Sequence, residues 1–558
     1  MSTRNVYISR RSFMKAGAVA AAMASLGVPA MAASSQTEVE NENCIDKLFP
    51  SKTPEVVFTP DSPVVDTTAG KIRGFIDNGI YTFRGVPYAE AARFEQPHAP
   101  TAWSGVRNCV IYGGMCPQDP MTLSGTDILN PHVFWPMDEN CQKLNVWSAD
   151  VSAKKPVMFW IHGGGYSTGS SIEQPCYEGH NLCKEGDVVV VSINHRLNSL
   201  GFLDVSAYGE KYRYSGNSGM LDIIAALQWV KENIARFGGD PDNVTIFGQS
   251  GGGRKVLNLL AMPKAEGLFH KCIVHSGGPS GNTQSDARLV AKLTFAELGI
   301  AEGDVAALAA VEYDKLRMAA AAAMKKAKDQ LGHSVGWYPV IDGDCLPANI
   351  WTADGVPAQG GNIPMIIGSV FAERTTNGFG MINGTDFYKN TWDEATVDAK
   401  LTEKYGAKKD AVVAAFRKAY PNKPIADVLY IELVGYRQDT KAILKKRSQQ
   451  DAPVYNYMFA YEMPVMGGLL PWHCSDLPFV FGNISKHGTA NGATKEGHKL
   501  ESIMLGAWSA FAHTGNPNHK GMPTWPAFTN DTGAAMIFEQ DCRIAYHHDD
   551  DLFDAVLG

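Results

Sequence analysis

Long apolar runs, blocks of basic charge and a cysteine framework are all missing from this 558-residue chain. Beyond its N-terminal segment, nothing approaches the roughly 20 uninterrupted apolar residues that span a bilayer, so stable membrane insertion is not expected. Lys and Arg form no patch and the formal net charge is −8, which argues against a nucleic-acid partner. Ten cysteines are too few to build a disulfide scaffold at this length, although one or two bridges remain compatible with an oxidising compartment. Charged residues are only 19 % of the chain against 45 % hydrophobic, a balance that excludes disorder and fits a large globular enzyme grown around one core.

The N-terminus carries what the rest lacks. Ser9-Arg10-Arg11-Ser12-Phe13-Met14-Lys15 precedes an Ala-rich apolar stretch that ends in the small-x-small site Ala30-Met31-Ala32. Charge, apolar run and cleavage site in that order predict a twin-arginine signal over residues 1–32, and hence a periplasmic or secreted protein exported already folded. Its removal takes away four bases (Arg4, Arg10, Arg11 and Lys15) and no acid, moving the net charge from −8 to −12. Residues 33–64, rich in Ser, Thr, Glu and Pro, read as a loosely ordered lead-in. Residues 65–558 read as a single domain. The His547-His548-Asp549-Asp550-Asp551 tail reads as a solvated terminus, because consecutive residues do not converge on one metal ion. No metal and no cofactor is expected.

Within the domain, short apolar segments alternate with amphipathic ones. Pro156–His162, Asp187–Asn194, Val244–Gly248, Lys271–His275, Pro364–Gly368 and Val454–Ala460 are nearly continuous in apolar character, as strands buried on both faces should be. Ser218–Phe237 has apolar residues at helical spacing. The alternation predicts an α/β protein with a mostly parallel sheet flanked by helices. An inserted helical cap region is expected at about 285–360, including Leu316–Gln330, whose Ala319–Ala323 run favours helix and reads as a surface or cap helix.

Gly-x-Ser-x-Gly occurs twice. Ser250, in Gly248-Gln249-Ser250-Gly251-Gly252, follows the strand Val244–Phe247 and precedes the helical run Lys255–Met262. Ser167 leads into loop. A nucleophilic serine needs the sharp strand-to-helix turn, so Ser250 is the candidate. The helix that starts behind it would aim the Gly251 N–H at a developing oxyanion. His162-Gly163-Gly164-Gly165, directly after the strand ending at Ile161, makes Gly164 and Gly165 candidates for the other donors. These elements together give an α/β-hydrolase fold.

The chain resembles the type-B carboxylesterase family, which includes cholinesterases and bacterial para-nitrobenzyl esterases. Phe83-Arg84-Gly85-Val86-Pro87-Tyr88-Ala89, Glu139-Asn140-Cys141, His162–Ser171, Asn194-His195-Arg196-Leu197, the Ser250 turn, His275-Ser276-Gly277, Pro339–Gly343 and Phe479-Val480-Phe481-Gly482 carry the resemblance, from about residue 65 onward. The family order of nucleophile, acid and base implies Glu373, five residues after Gly368, as the acid; a surface glutamate paired with Arg374 is the alternative. Seven histidines follow it. The resemblance implies His473 as the base, at the right interval before Phe479. His487 and His498 fall in a Gly/Lys/Asn-rich loop, and His513 and His519 flank a turn. The resemblance further implies Ser276 as a hydrogen-bond partner near Glu373, an ion pair between Arg84 and Glu139, and a disulfide between Cys116 and Cys141. Cys176 with Cys183 is a weaker pair that rests on proximity alone, and Cys272, in an apparent strand, reads as a free core thiol.

Two departures bear on substrate. Gln249 stands where cholinesterases carry Glu, and the segment after Tyr88 leaves no room for their aromatic loop, which argues against choline esters. The expected activity is hydrolysis of small or aromatic carboxylic esters, of para-nitrobenzyl or hydroxycinnamoyl type, through an acyl-enzyme. A lipase or acyltransferase with the same triad, or a non-catalytic adhesion module, are the competing readings. Arg254 and Lys255 open the helix behind the nucleophile; either would favour an acidic substrate if it faced the pocket, and surface exposure is the simpler expectation.

Overall fold

Twelve strands form the central sheet of the computed structural model, which describes residues 55–60, 62–119, 131–348, 358–374, 389–464, 468–486 and 493–558. In chain order they are β1 (Val56–Val57), β2 (Phe75–Asp77), β3 (Ile80–Pro87), β4 (Lys143–Ser148), β5 (Lys155–Ile161), β6 (Val189–Ile193), β7 (Gly239–Gln249), β8 (Lys271–His275), β9 (Met365–Val370), β10 (Val454–Phe459), β11 (Ala534–Phe538) and β12 (Arg543–Tyr546). Their spatial order is β1-β2-β3-β4-β6-β5-β7-β8-β9-β10-β11-β12. The seven from β6 to β11 pair in parallel and both flanks are antiparallel. All six strands expected from apolar character are present within this sheet. Side chains alternate between its faces: Val157, Phe159 and Ile161 enter one core, and Met158 and Trp160 the other.

Helices cover both faces. On the first lie α1 (Ser218–Asn233) and α2 (Gly251–Leu259). Between β8 and β9 comes the expected helical insertion, with α3 (Gln284–Leu298) and α4 (Tyr313–Leu331). Helix α4 lies at the surface as expected, with Ala319, Ala320 and Ala323 as its close-packing face and Ala321 exposed. A second helical region, absent from the sequence reading, fills the interval between β9 and β10 with α5 (Glu394–Tyr405), α6 (Lys409–Ala419) and α7 (Tyr436–Arg447). The other face of the sheet is covered by α8 (Lys495–Thr514), which contains His498; that histidine is therefore helical, whereas His487 lies outside the described residues.

The chain closes with α9 (Asp550–Leu557). Asp549 just before it is 2 % exposed, and its carboxylate accepts hydrogen bonds from Arg437 Nε at 2.8 Å and Lys441 Nζ at 3.2 Å. His548 is also buried, and burial lowers its pKa to about 4. His548 and Asp549 are thus packed against α7, whereas His547 and Asp551 stay exposed as expected of a terminus. A charged segment of this kind is buried because Arg437 and Lys441 neutralise it.

Several sequence expectations about side-chain pairs need correction. Cys116 and Cys141 are free thiols, buried side by side. The Cys116 sulfur instead accepts the Leu197 N–H at 3.2 Å. Cys176 and Cys183 are also unbridged, the first in a short 3-10 turn and the second in the helix His180–Gly186. Cys272 is a free, buried thiol in β8. Glu139 pairs not with Arg84 but with Arg93, through both carboxylate oxygens. Arg84 lies over the Tyr112 ring, 4.4 Å from its centroid, with Glu178 at 4.0 Å.

Candidate active site

The parallel strands end along one edge, and the chemistry gathers there, as it does in open α/β sheets generally. β5 delivers His162–Gly165, β7 delivers Ser250, β8 delivers Ser276, and Glu373 follows β9 by three residues. His473 lies beyond β10.

Ser250 occupies the turn between β7 and α2 with φ 57 and ψ −119. That left-handed conformation strains a side-chain-bearing residue, and the turn persists because its neighbours have no room to relax it. The Ser250 N–H donates to the His275 carbonyl at 2.9 Å. Gly251 must be glycine, since a Cβ there would run into the Gly165 backbone. The same close approach brings the Gly164-Gly165 turn, with φ of 79 and 64, against the N-terminus of α2. The three glycines expected to donate N–H groups are therefore neighbours.

Glu373 is 2 % exposed, which removes the alternative of a surface glutamate; Arg374 points instead to Glu432 at 3.5 Å. Glu373 Oε2 lies 2.5 Å from His473 Nδ1. Its other oxygen accepts from Ser276 Oγ at 2.5 Å and from the Val370 N–H at 3.0 Å. The carboxylate is thus held from three sides and aimed at the imidazole. His473 is 22 % exposed at its side chain, so the pair opens toward solvent on the histidine side.

Ser250 and His473 are linked by two shared neighbours. Gln249 Nε2 lies 3.1 Å from His473 Nε2. Tyr436, the first residue of α7, has its hydroxyl 3.3 Å from Ser250 Oγ and stacks its ring on the imidazole at 5.3 Å and 10°. Tyr436 was not legible in the sequence, because it arrives on the unforeseen second helical region. Ser167 lies in a loop, its N–H donating to the Gly164 carbonyl at 3.2 Å and its carbonyl accepting from Asn198 Nδ2.

Two further groups bear on the electrostatics. Glu432 sits near the pair, and burial together with the Glu373 charge raises its pKa to about 7. Lys255, expected on the surface, is fully buried and donates to the His162 carbonyl at 3.2 Å. Burial lowers its pKa to about 7, with Glu173 acting in the opposite sense.

Residues 61–551 match the family profile described as "Carboxylesterase family". The chain belongs to the carboxylesterase family. As a member it is a carboxylic ester hydrolase. The esterase is 34 % identical over 497 residues to the para-nitrobenzyl esterase of Bacillus subtilis, covering 86 % of this chain and 96 % of that protein. It is 31 % identical over 500 residues to a phenmedipham hydrolase of Pseudarthrobacter oxydans, covering 85 % and 94 %. Among solved structures it is similar to an esterase of Clostridium hathewayi, described as hydrolysing aliphatic aromatic polyesters, with a TM-score of 0.84 and 40 % identity over 90 % of this chain and 99 % of that one. Residues 8–27 match a twin-arginine translocation signal, so the esterase is addressed for export across the membrane to the periplasm or extracellular space. Among the described residues no helix is long and apolar enough to cross a membrane.

Proposed function

We propose that this carboxylesterase works through an acyl-enzyme on Ser250, with His473 as base, Glu373 as its orienting acid, and small or aromatic carboxylic esters as substrates. One observation carries the reading: a buried carboxylate fixed by Ser276 holds the His473 ring beside a serine on a strained strand-to-helix turn. His473 takes the Ser250 proton as the serine oxygen attacks the ester carbonyl. Glu373 fixes the imidazole tautomer and stabilises the imidazolium. The N–H groups of Gly164, Gly165 and Gly251 receive the oxyanion, each such donor being worth about 10²–10³ in rate. His473 then gives its proton to the departing alkoxide, and water repeats the sequence on the acyl-enzyme.

Aromatic preference is supported by the tyrosines near the nucleophile, Tyr436 and the Tyr166–Tyr338 pair at 5.6 Å, and by the names of the bacterial relatives. The test is covalent labelling by a fluorophosphonate, followed by a panel of esters that varies acyl length and aromatic character. Ser250→Ala is expected to lose the label and on the order of 10⁶ in kcat. Undiminished labelling of Ser250→Ala would remove Ser250 from the role.

A further inference from the structure

Behind the nucleophile stands a cation that has no carboxylate at ion-pair distance among the described residues. Arg254 lies one helical turn after Ser250 on α2, and its N–H donates to the Ser250 carbonyl at 3.0 Å. Its guanidinium carbon lies 5.5 Å from the centroid of Tyr436 and 6.0 Å from that of Tyr338. Tyr436 touches Ser250 Oγ, and Tyr338 packs edge-on against Tyr166, the residue that follows the glycine turn. The guanidinium is therefore directed toward the reacting centre, and Arg254, Tyr338 and Tyr436 are all only partly buried, within reach of a ligand. Among the described residues no carboxylate lies within 4.0 Å of it. Asp439, one turn beyond Tyr436 on α7, acts on it from farther away; burial raises the Asp439 carboxyl, which weakens it as a counter-charge, and Arg254 pulls the other way. Partial burial between aromatic faces strips water from a guanidinium, whose planar fork, here in contact with Tyr436, presents paired N–H donors to a carboxylate.

Resting on Ser250 as the nucleophile, we propose that Arg254 is a specificity residue that recognises a free carboxylate at the far end of the acyl group, so that half-esters of dicarboxylic acids are preferred substrates. The half-ester lays its scissile carbonyl at Ser250 and its carboxylate on the guanidinium, with the intervening chain against Tyr436 and Tyr338.

Monobenzyl succinate, glutarate and adipate, each compared with its methyl-capped neutral diester by release of benzyl alcohol, test this on the intact protein. At least one chain length is expected to give a kcat/KM about tenfold above its neutral counterpart, with the advantage falling as ionic strength rises. Arg254→Gln is expected to abolish that ratio and Arg254→Lys, which keeps the charge but not the fork, to restore part of it. Equal or lower turnover of all three half-esters by the unaltered enzyme overturns the inference and leaves the esterase reading in place. A ratio unchanged in Arg254→Gln also overturns it. Failure to cleave any of the six esters overturns both.

Discussion

Two histidine pairs with a buried carboxylate lie within the same molecule, three residues apart at their nearest point in sequence. His473–Glu373 has its histidine 22 % exposed. His275–Asp476, with Nδ1 and Oδ2 2.7 Å apart, is exposed at neither side chain. The second pair is sealed by core side chains: Tyr457 donates to Asp476 at 3.0 Å, and Trp508 Nε1 donates to His275 Nε2 at 3.0 Å. Burial away from any substrate is what disqualifies it from acid–base work, since His473 also has a neighbour at each ring nitrogen but opens to solvent. It holds the site together all the same. The His275 carbonyl receives the Ser250 N–H, Ser276 is the next residue, and Asp476 sits three residues after His473. Identical pairing chemistry thus serves reaction in one place and scaffolding in the other, and access to solvent separates the two.

The comparison predicts divergent responses to matched amide substitutions. Glu373→Gln keeps the shape but holds the wrong imidazole tautomer, and is expected to lower kcat on a para-nitrophenyl ester by about 10⁴-fold with little change in the unfolding midpoint. Asp476→Asn breaks a buried pair, and is expected to cost about 3–5 kcal/mol in urea unfolding while the folded fraction still turns over. If Asp476→Asn instead matches Glu373→Gln in kcat, the division between a working and a structural pair collapses.

Smaller effects sharpen the same contrast. Lys255 is sealed like His275, and its folded pKa of about 7 lies below the usual 10.5. The folded state therefore binds the Lys255 proton less readily than the unfolded chain. Its contribution to stability is most unfavourable below about pH 7 and rises as pH climbs toward 10.5. Lys255→Met should flatten that part of the pH–stability curve, as followed by thermal unfolding. Glu432, beside the reactive pair, has the opposite sign. Its folded pKa of about 7 lies above 4.5, so its favourable contribution is complete below about pH 4.5 and is lost as pH rises through 7. Glu432→Gln is expected to remove that smaller slope.

Ser250 and the glycine turn were legible because their chemistry demands a local pattern, a strand followed at once by a glycine-flanked serine and a helix. The sheet was legible because doubly buried strands must be apolar throughout. Glu373 and His473 were reached only through the family resemblance, since neither has local surroundings that distinguish it. Pairings across long sequence separations were the weak point. Arg93 and Arg84 lie within ten residues of each other, and nothing local says which one meets Glu139. Tyr436 was hidden for another reason: half of its helix is Lys, Arg and Asp, which masks the face on which Thr440, Ile443 and Leu444 are buried. The buried Lys255 was misjudged on composition in the same way, as was Asp549 in the tail.

The packing of that tail onto α7 has a practical consequence. Arg437, which Asp549 grips, is the immediate neighbour of Tyr436, the tyrosine against Ser250. A proteolytic nick or a shortened clone that removes Asp549 would therefore be felt at the nucleophile, more than 250 positions upstream in the chain, through a single peptide unit.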